Sequence, residues 1–520
     1  LVKNREVFEH DSKYRCLSLG PWSNTLKLSC EHNEETLMAK RKGSRRKSGA
    51  AKPAPESHPV SAAGLDGDIS HGDAADAPQP TGRMIVTVLG EGDAAIKSAI
   101  KEVRKRAGIS SEPIRASSFG VDDIQGMVDQ SHDCEMLVLD ELGIIVANLD
   151  PDQSAAMPVG AAGAAASGVV SEPEFWCHAL GQPVDYLHGY RDAVNSLVGS
   201  LLSSGDDAAT EVVAASTAEA LAPARAGASF GSRDDGTATW GVKATNVAGS
   251  NLSGRGIRVA ILDSGFDASH PDFSGRSVTT ASFISDPGQR DRGPGDLNGH
   301  GTHCVGTACG PRDPRPGVPG YGVAHQAEIF SGKVLAQTSG GASGTDGWIL
   351  AGINWALRNR CHVISMSLGG RPSGSGFPQM YDNAGRKALR QGCVIVAAAG
   401  NDSNRPSTAS VSRPANCPAI LSVAAVDSNL SVARFSNRAV HMDGGEINLA
   451  GPGVGVFSSQ PGGRHGFLDG TSQATPHVAG ILALVAEETG LTGVDLYKEV
   501  RSRAKRLSDP KDTGSGLARL

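Results

Sequence analysis

Beyond residue 238 the sequence predicts an α/β fold built on a mainly parallel sheet, with a smaller α+β module ahead of it. Two observations carry this. Short continuous apolar runs occur at 257–262, 329–335, 363–368, 394–399 and 420–426. Helical patterns alternate with them, at 300–309, 346–358 and 383–391. Strands that are apolar on both faces and separated by helices form a parallel sheet covered on both sides. In such sheets function gathers at the carboxyl ends of strands.

In chain order, residues 1–82 are polar, charged and rich in Pro, Ala and Gly, so a disordered tail is expected. Met38 opens a basic run and is a candidate start, since residue 1 is Leu and no basic-then-apolar leader follows. The run itself reads as solvated. Residues 84–89 form a strand, and 93–106 a helix with basic residues at its end. Runs at 136–139 and 144–149 flank Glu141-Leu142-Gly143 as a hairpin would. Gly90-Glu91-Gly92 reads as a plain strand-to-helix turn, because no parallel strand with a ribose-binding acid follows. A second helix is expected over 150–157, and Val169-Val170 adds a last strand before Glu172-Pro173-Glu174. These elements delimit a module over 84–175. Residues 176–237 hold a helix over 183–202 and a mobile linker, and 238–520 make the large domain.

Composition excludes several classes. A formal charge of −6 gives no sign of a nucleic-acid partner, and no run of 18 apolar residues is present to span a membrane. Nine cysteines include no CxxC pair, which argues against zinc.

Three stretches carry chemistry. The run at 257–262 ends on Asp263-Ser264-Gly265, and a carboxylate at the end of a buried strand needs a partner. Asn298-Gly299-His300-Gly301-Thr302-His303 opens a helix, but no third ligand accompanies its two histidines, so no metal is expected. Gly470-Thr471-Ser472-Gln473-Ala474-Thr475-Pro476-His477 leads into an apolar helix, so Ser472 stands where unpaired N–H groups favour developing negative charge. Asp263, His300 and Ser472 then supply an orienting carboxylate, a base and a nucleophile. Asn401, after the run at 394–399, is a turn residue or an oxyanion donor.

These stretches, in this order, resemble the three signatures of the subtilisin-like serine proteases (peptidase family S8), over roughly 240–520. The resemblance implies a seven-stranded, doubly wound, mainly parallel sheet. It implies a serine endopeptidase made as a zymogen, acting through an acyl-enzyme. Asn401 matches the family's oxyanion amide. Ser367, Leu368 and Gly369 match the strand that pairs with bound peptide, and Gly344, beside Trp348, matches the opposite strand. Ala398, Ala399 and Gly400 would line the pocket for the side chain before the scissile bond. Asp402 at its rim either favours Lys or Arg or is simply solvated. His303 and His477 would be structural.

No cofactor is required by the resemblance. Asp272 matches one ligand of the family's calcium loop, yet the turn after Cys309 lacks the Asn-rich remainder, so that site is not expected. Gln473 stands where many relatives carry Met. Cys361 and Cys393 begin neighbouring strands, as a disulfide or as two buried thiols. Residues 84–175 resemble the family's inhibitory propeptides, making the chain its own intramolecular inhibitor. The remaining expectations are peptide or protein substrates, a monomer, and a compartment left open, with secretion suggested by the family.

Overall fold

The computed structural model describes residues 78–158, 167–180, 236–372, 376–440 and 444–520. The tail up to residue 77, the helix expected over 183–202 and the linker up to 235 lie outside the described residues.

Seven parallel strands form the centre of the large domain. They are β5 (Arg258–Asp263), β6 (Val278–Ser282), β7 (Glu328–Lys333), β9 (Val363–Met366), β11 (Val394–Ala398), β12 (Leu421–Val426) and β13 (Leu449–Pro452). Their spatial order is β13-β12-β11-β9-β5-β7-β6, with every pairing parallel. Helices α3 (His300–Cys309) and α6 (Thr471–Thr489) belong to the core on one face, with Val305, Val478, Ile481, Leu482 and Val485 buried there. Helices α4 (Asp346–Arg358) and α5 (Gln379–Arg390) belong to the core on the other face, through Ile353, Trp355 and Ala384. The expected start of α5 at residue 383 falls four residues late. Its first turn, Gln379-Met380-Tyr381-Asp382, carries too few apolar residues to show a period.

The module ahead of it begins with β1 (Pro80–Val88) and α1 (Gly92–Ala107). Ile96, Ala99, Ile100, Val103 and Ala107 put one apolar stripe of α1 on the sheet. Then come α2 (Ile124–Ser131), β2 (Met136–Leu139), β3 (Ile144–Ala147) and β4 (Val169–Ala179). Strand β4 pairs with β1 from Val169 to Phe175 and continues past residue 175, where the module was expected to end.

That continuation positions the site. Residues 176–178 of β4 pair antiparallel with β8 (Gly341–Thr345), and His178 and Ala179 pair antiparallel with β10 (Leu368–Gly369). Two carboxylates on β4, Glu174 buried and Glu172 half-buried, fix the approach. Glu174 accepts from the Gly347 N–H at 2.8 Å in the first turn of α4, and from Arg83 Nε at 2.6 Å. Glu172 accepts from the Gln379 and Met380 N–H groups at 2.9 and 2.8 Å. Both helices thus present their positive ends to module carboxylates.

Candidate active site

Parallel strands end where helices begin, and the candidate residues collect there. Asp263 is the last residue of β5 and His300 the first of α3. His300 Nδ1 lies 2.8 Å from Asp263 Oδ1, with both side chains buried. The carboxylate also accepts from the Ser264 N–H at 2.7 Å, which fixes its rotation. Asp296 holds the loop before α3, accepting from the Gly299 and Thr302 N–H groups at 2.8 Å each and from Ser264 Oγ at 3.0 Å. Sequence reasoning passed over Asp296. Its signal was an Asp ahead of a Gly that precedes a helix.

Burial alone would depress the basicity of His300, but the Asp263 carboxylate outweighs it and holds the imidazolium well above its usual range. His303 and His477 lack such a partner. Burial brings them down to about 3 and about 4. Each bonds a backbone carbonyl instead, Val456 and Gln473 respectively.

Ser472 enters from α6. Pro476 has no N–H, so the Ser472 carbonyl four residues earlier receives no helical bond from it. It accepts instead from Ser367 Oγ at 2.7 Å, while Ser472 Oγ donates to the Ser367 carbonyl at 3.1 Å. This reciprocal pair ties the serine to the end of β9. Cys304 Sγ lies 3.9 Å from His300 Nδ1 and 3.7 Å from the Ser472 carbonyl, which brings the three candidates into one cluster. His300 Nε2 faces the Leu180 carbonyl at 3.3 Å rather than the serine hydroxyl.

Asn401 follows β11. Its Oδ1 accepts from the Thr471 N–H at 2.9 Å and from Thr471 Oγ1 at 2.8 Å. Its Nδ2 is buried with no partner among the described residues. A donor left so costs about 1–3 kcal/mol, which is tolerable where a ligand oxygen completes it.

The edges of the cleft need glycine. A Cβ on Gly344 would fall 1.9 Å from the Val334 carbonyl oxygen. Gly400 has φ +109° and its Cβ would meet Asn437 Nδ2 at 2.2 Å. Asp402 is held by Asn437 Nδ2 at 3.0 Å.

Gln473 is fully buried, and neither its amide oxygen nor its nitrogen has a partner among the described residues. We expect Gln473→Met to raise thermal stability by about 1 kcal/mol or more, since it removes an unsatisfied buried amide. The same variant should lose activity faster in peroxide, because a thioether oxidises and an amide does not. Unfolding curves and residual activity after peroxide treatment check both. Equal inactivation rates would point to Met366 or Cys304.

His270, Asp272 and His465 place ligand atoms within 4.8 Å of one another, two imidazoles and one carboxylate. Asp272 Oδ2 accepts from Tyr321 Oη at 2.7 Å and lies 2.7 Å from His465 Nε2. That carboxylate is already engaged by a phenol and an imidazole, a donor set that suits no calcium ion. Cys361 and Cys393 are both buried free thiols. No helix among the described residues is long and apolar enough to cross a membrane.

The profile of the subtilase family matches residues 254–512. Subtilisin E of Bacillus subtilis (strain 168) is 36% identical over 280 residues, covering 53% of this chain and 68% of that protein. Subtilisin of Bacillus pumilus is 36% identical over 280 residues, covering 53% of this chain and 94% of that protein. The major intracellular serine protease of Bacillus subtilis (strain 168) is 35% identical, over 53% of this chain and 83% of that protein. A parallel seven-stranded sheet, an Asp–His pair at its carboxyl end and a serine at a buried helix start therefore belong to a chain of the subtilase family, a serine endopeptidase.

Proposed function

We propose that the chain is a zymogen whose module, residues 80–180, occupies its own cleft as an intramolecular inhibitor, and that the enzyme releases itself by cutting after Leu180. Ser472 attacks the carbonyl, His300 takes and returns the proton, and Asp263 orients and stabilises the imidazolium. Asn401 Nδ2 and the Ser472 N–H receive the oxyanion. One observation carries this reading. Strand β4 lies antiparallel to both β8 and β10, the Leu180 N–H donates to the Ser367 carbonyl at 3.2 Å, and the Leu180 carbonyl faces His300. An extended peptide so held brings Leu180 to His300, and its carbonyl has to turn from His300 Nε2 to Asn401 Nδ2 for Ser472 to attack the bond after it. Ser367, Leu368, Gly369 and Gly344 hold the backbone, and Ala399 and Gly400 border the pocket for the Leu180 side chain. Its partners are peptide substrates and its own module, it works as a monomer, and it needs no calcium at the Asp272 loop.

The test is the processed protein. N-terminal sequencing should read Gly181-Gln182-Pro183, and a fluorophosphonate should label Ser472 in the processed form. A different N-terminus would move the cut; absence of labelling would remove the mechanism. The proton carrier has its own signature. The neutral imidazole is the base, so kcat should rise with pH through the His300 value. The Asp263 carboxylate raises that value, so the midpoint of kcat should lie above the ordinary 6.5. A flat profile would exclude His300 as the base.

A further inference from the structure

Four residues before the proposed cut, Cys177 is fully buried against a charged pair. Asp346, the first residue of α4, lies across from it with no exposure. Its carboxylate receives Arg413 Nη1 at 2.8 and 3.0 Å and Tyr381 Oη at 2.9 Å, all from the large domain. The module adds two more donors, the Phe175 N–H at 2.8 Å and Cys177 Sγ at 3.3 Å. Arg413 also donates to the Trp176 carbonyl at 2.8 Å, and its guanidinium lies 5.0 Å from the Phe175 ring centre. Ion pair and phenol therefore stay with the enzyme when the module leaves, while two acceptor positions on Asp346 open.

We infer that the Asp346–Arg413–Tyr381 group reads the fourth residue before the cut, selecting a small side chain with a hydroxyl or thiol donor: Ser, Thr or Cys. This rests on the cut after Leu180. A backbone N–H at the place of Phe175 comes with any peptide, but the second donor comes only from the side chain. An aliphatic residue there would exclude water from Asp346 Oδ1 and offer no third donor beside Arg413 Nη1 and Tyr381 Oη, and a site shaped to receive a hydroxyl or thiol disfavours the isostere that lacks it. A basic residue would face the Arg413 guanidinium, and an acidic one the Asp346 carboxylate. The Cys177 thiol suits the donor role because burial and the adjacent carboxylate keep it protonated.

The experiment uses enzyme processed from the full chain and ten-residue peptides copying residues 174–183, with Cys177 replaced in turn by Ser, Thr, Ala, Val and Leu. Products are identified by mass spectrometry. Thr and Val have the same shape, so their ratio isolates the donor. We expect kcat/KM for Thr over Val to be about tenfold or more, with Ser above Ala and the cut after Leu in each case. Single changes at Asp346 or Arg413 would leave a buried charge unpaired, so a paired variant is used. Asp346→Leu with Arg413→Met, checked for fold by fluorophosphonate labelling, should favour Val over Thr. Equal rates for Thr and Val in the unaltered enzyme, or a preference for Val, would overturn the inference and leave the protease intact. Cleavage at another bond, or none by labelled enzyme, would overturn both the inference and the register of Leu180.

Discussion

Ser472→Ala will leave the precursor at full length and reduce turnover of added peptides by about 10⁶, a magnitude taken from the equivalent change in a subtilisin. The change removes one oxygen, and with it the hydroxyl that donates to the Ser367 carbonyl. The fold should survive, because the Ser472 carbonyl still accepts from Ser367 Oγ and the helix below it is buried as far as Ala486. The readout is the mobility and mass of the purified chain, with no other protease present. Normal processing of that variant would show that another enzyme does the cutting. Fluorophosphonate labelling should vanish in the same preparation while thermal unfolding remains cooperative.

Asn401→Ala should lower kcat by roughly 10²–10³ with little change in KM, a range also drawn from a subtilisin's asparagine. The amide is anchored on one side only. Thr471 holds its oxygen through two bonds, and nothing among the described residues takes its nitrogen. A donor kept unpaired until negative charge arrives contributes more to the transition state than to the bound substrate. Asn401→Asp should be as damaging as Ala, since it presents a carboxylate oxygen to an oxyanion. A mainly KM effect in either variant would make Asn401 a substrate-binding residue.

Five of the seven central strands were legible because they are buried on both faces and so read as unbroken apolar runs, whereas β6, with the sequence VTTAS, and β13, with LAGP, carry no such run and were missed. The candidate triad was legible for another reason. Asp263, His300 and Ser472 each sit at a strand end or a helix start, where the local pattern changes and a polar residue stands out. Asp346 also opens a helix, but Tyr381 and Arg413 sent no such signal: they come from the first turn of α5 and a loop, and only the fold makes the three neighbours. The length of β4 was missed for a related reason. Residues 171–179 alternate poorly, because their first part packs within the module and their second lies between two edges of another domain. Glu172 and Glu174 looked like the polar end of a strand. They are instead carboxylates seated on two helix starts, and Glu174 is wholly buried.

Strand β4 is hydrogen-bonded on both sides, and that has a bearing on what the freed enzyme can digest. If β4 leaves as proposed, Gly341–Thr345 and Leu368–Gly369 face one another as two unpaired edges with a gap one strand wide. Any polypeptide entering the gap must offer one edge over three residues and the other over two, as residues 176–178 and 178–179 do. A strand inside a native sheet has spent at least one edge, and a helix has spent both. Only a tail, an excursive loop or a chain that has come apart can comply. The looseness of the victim, more than its sequence, then sets how fast it is destroyed. A marginally stable protein should disappear at the rate at which it opens, while a rigid one of similar composition persists beside it.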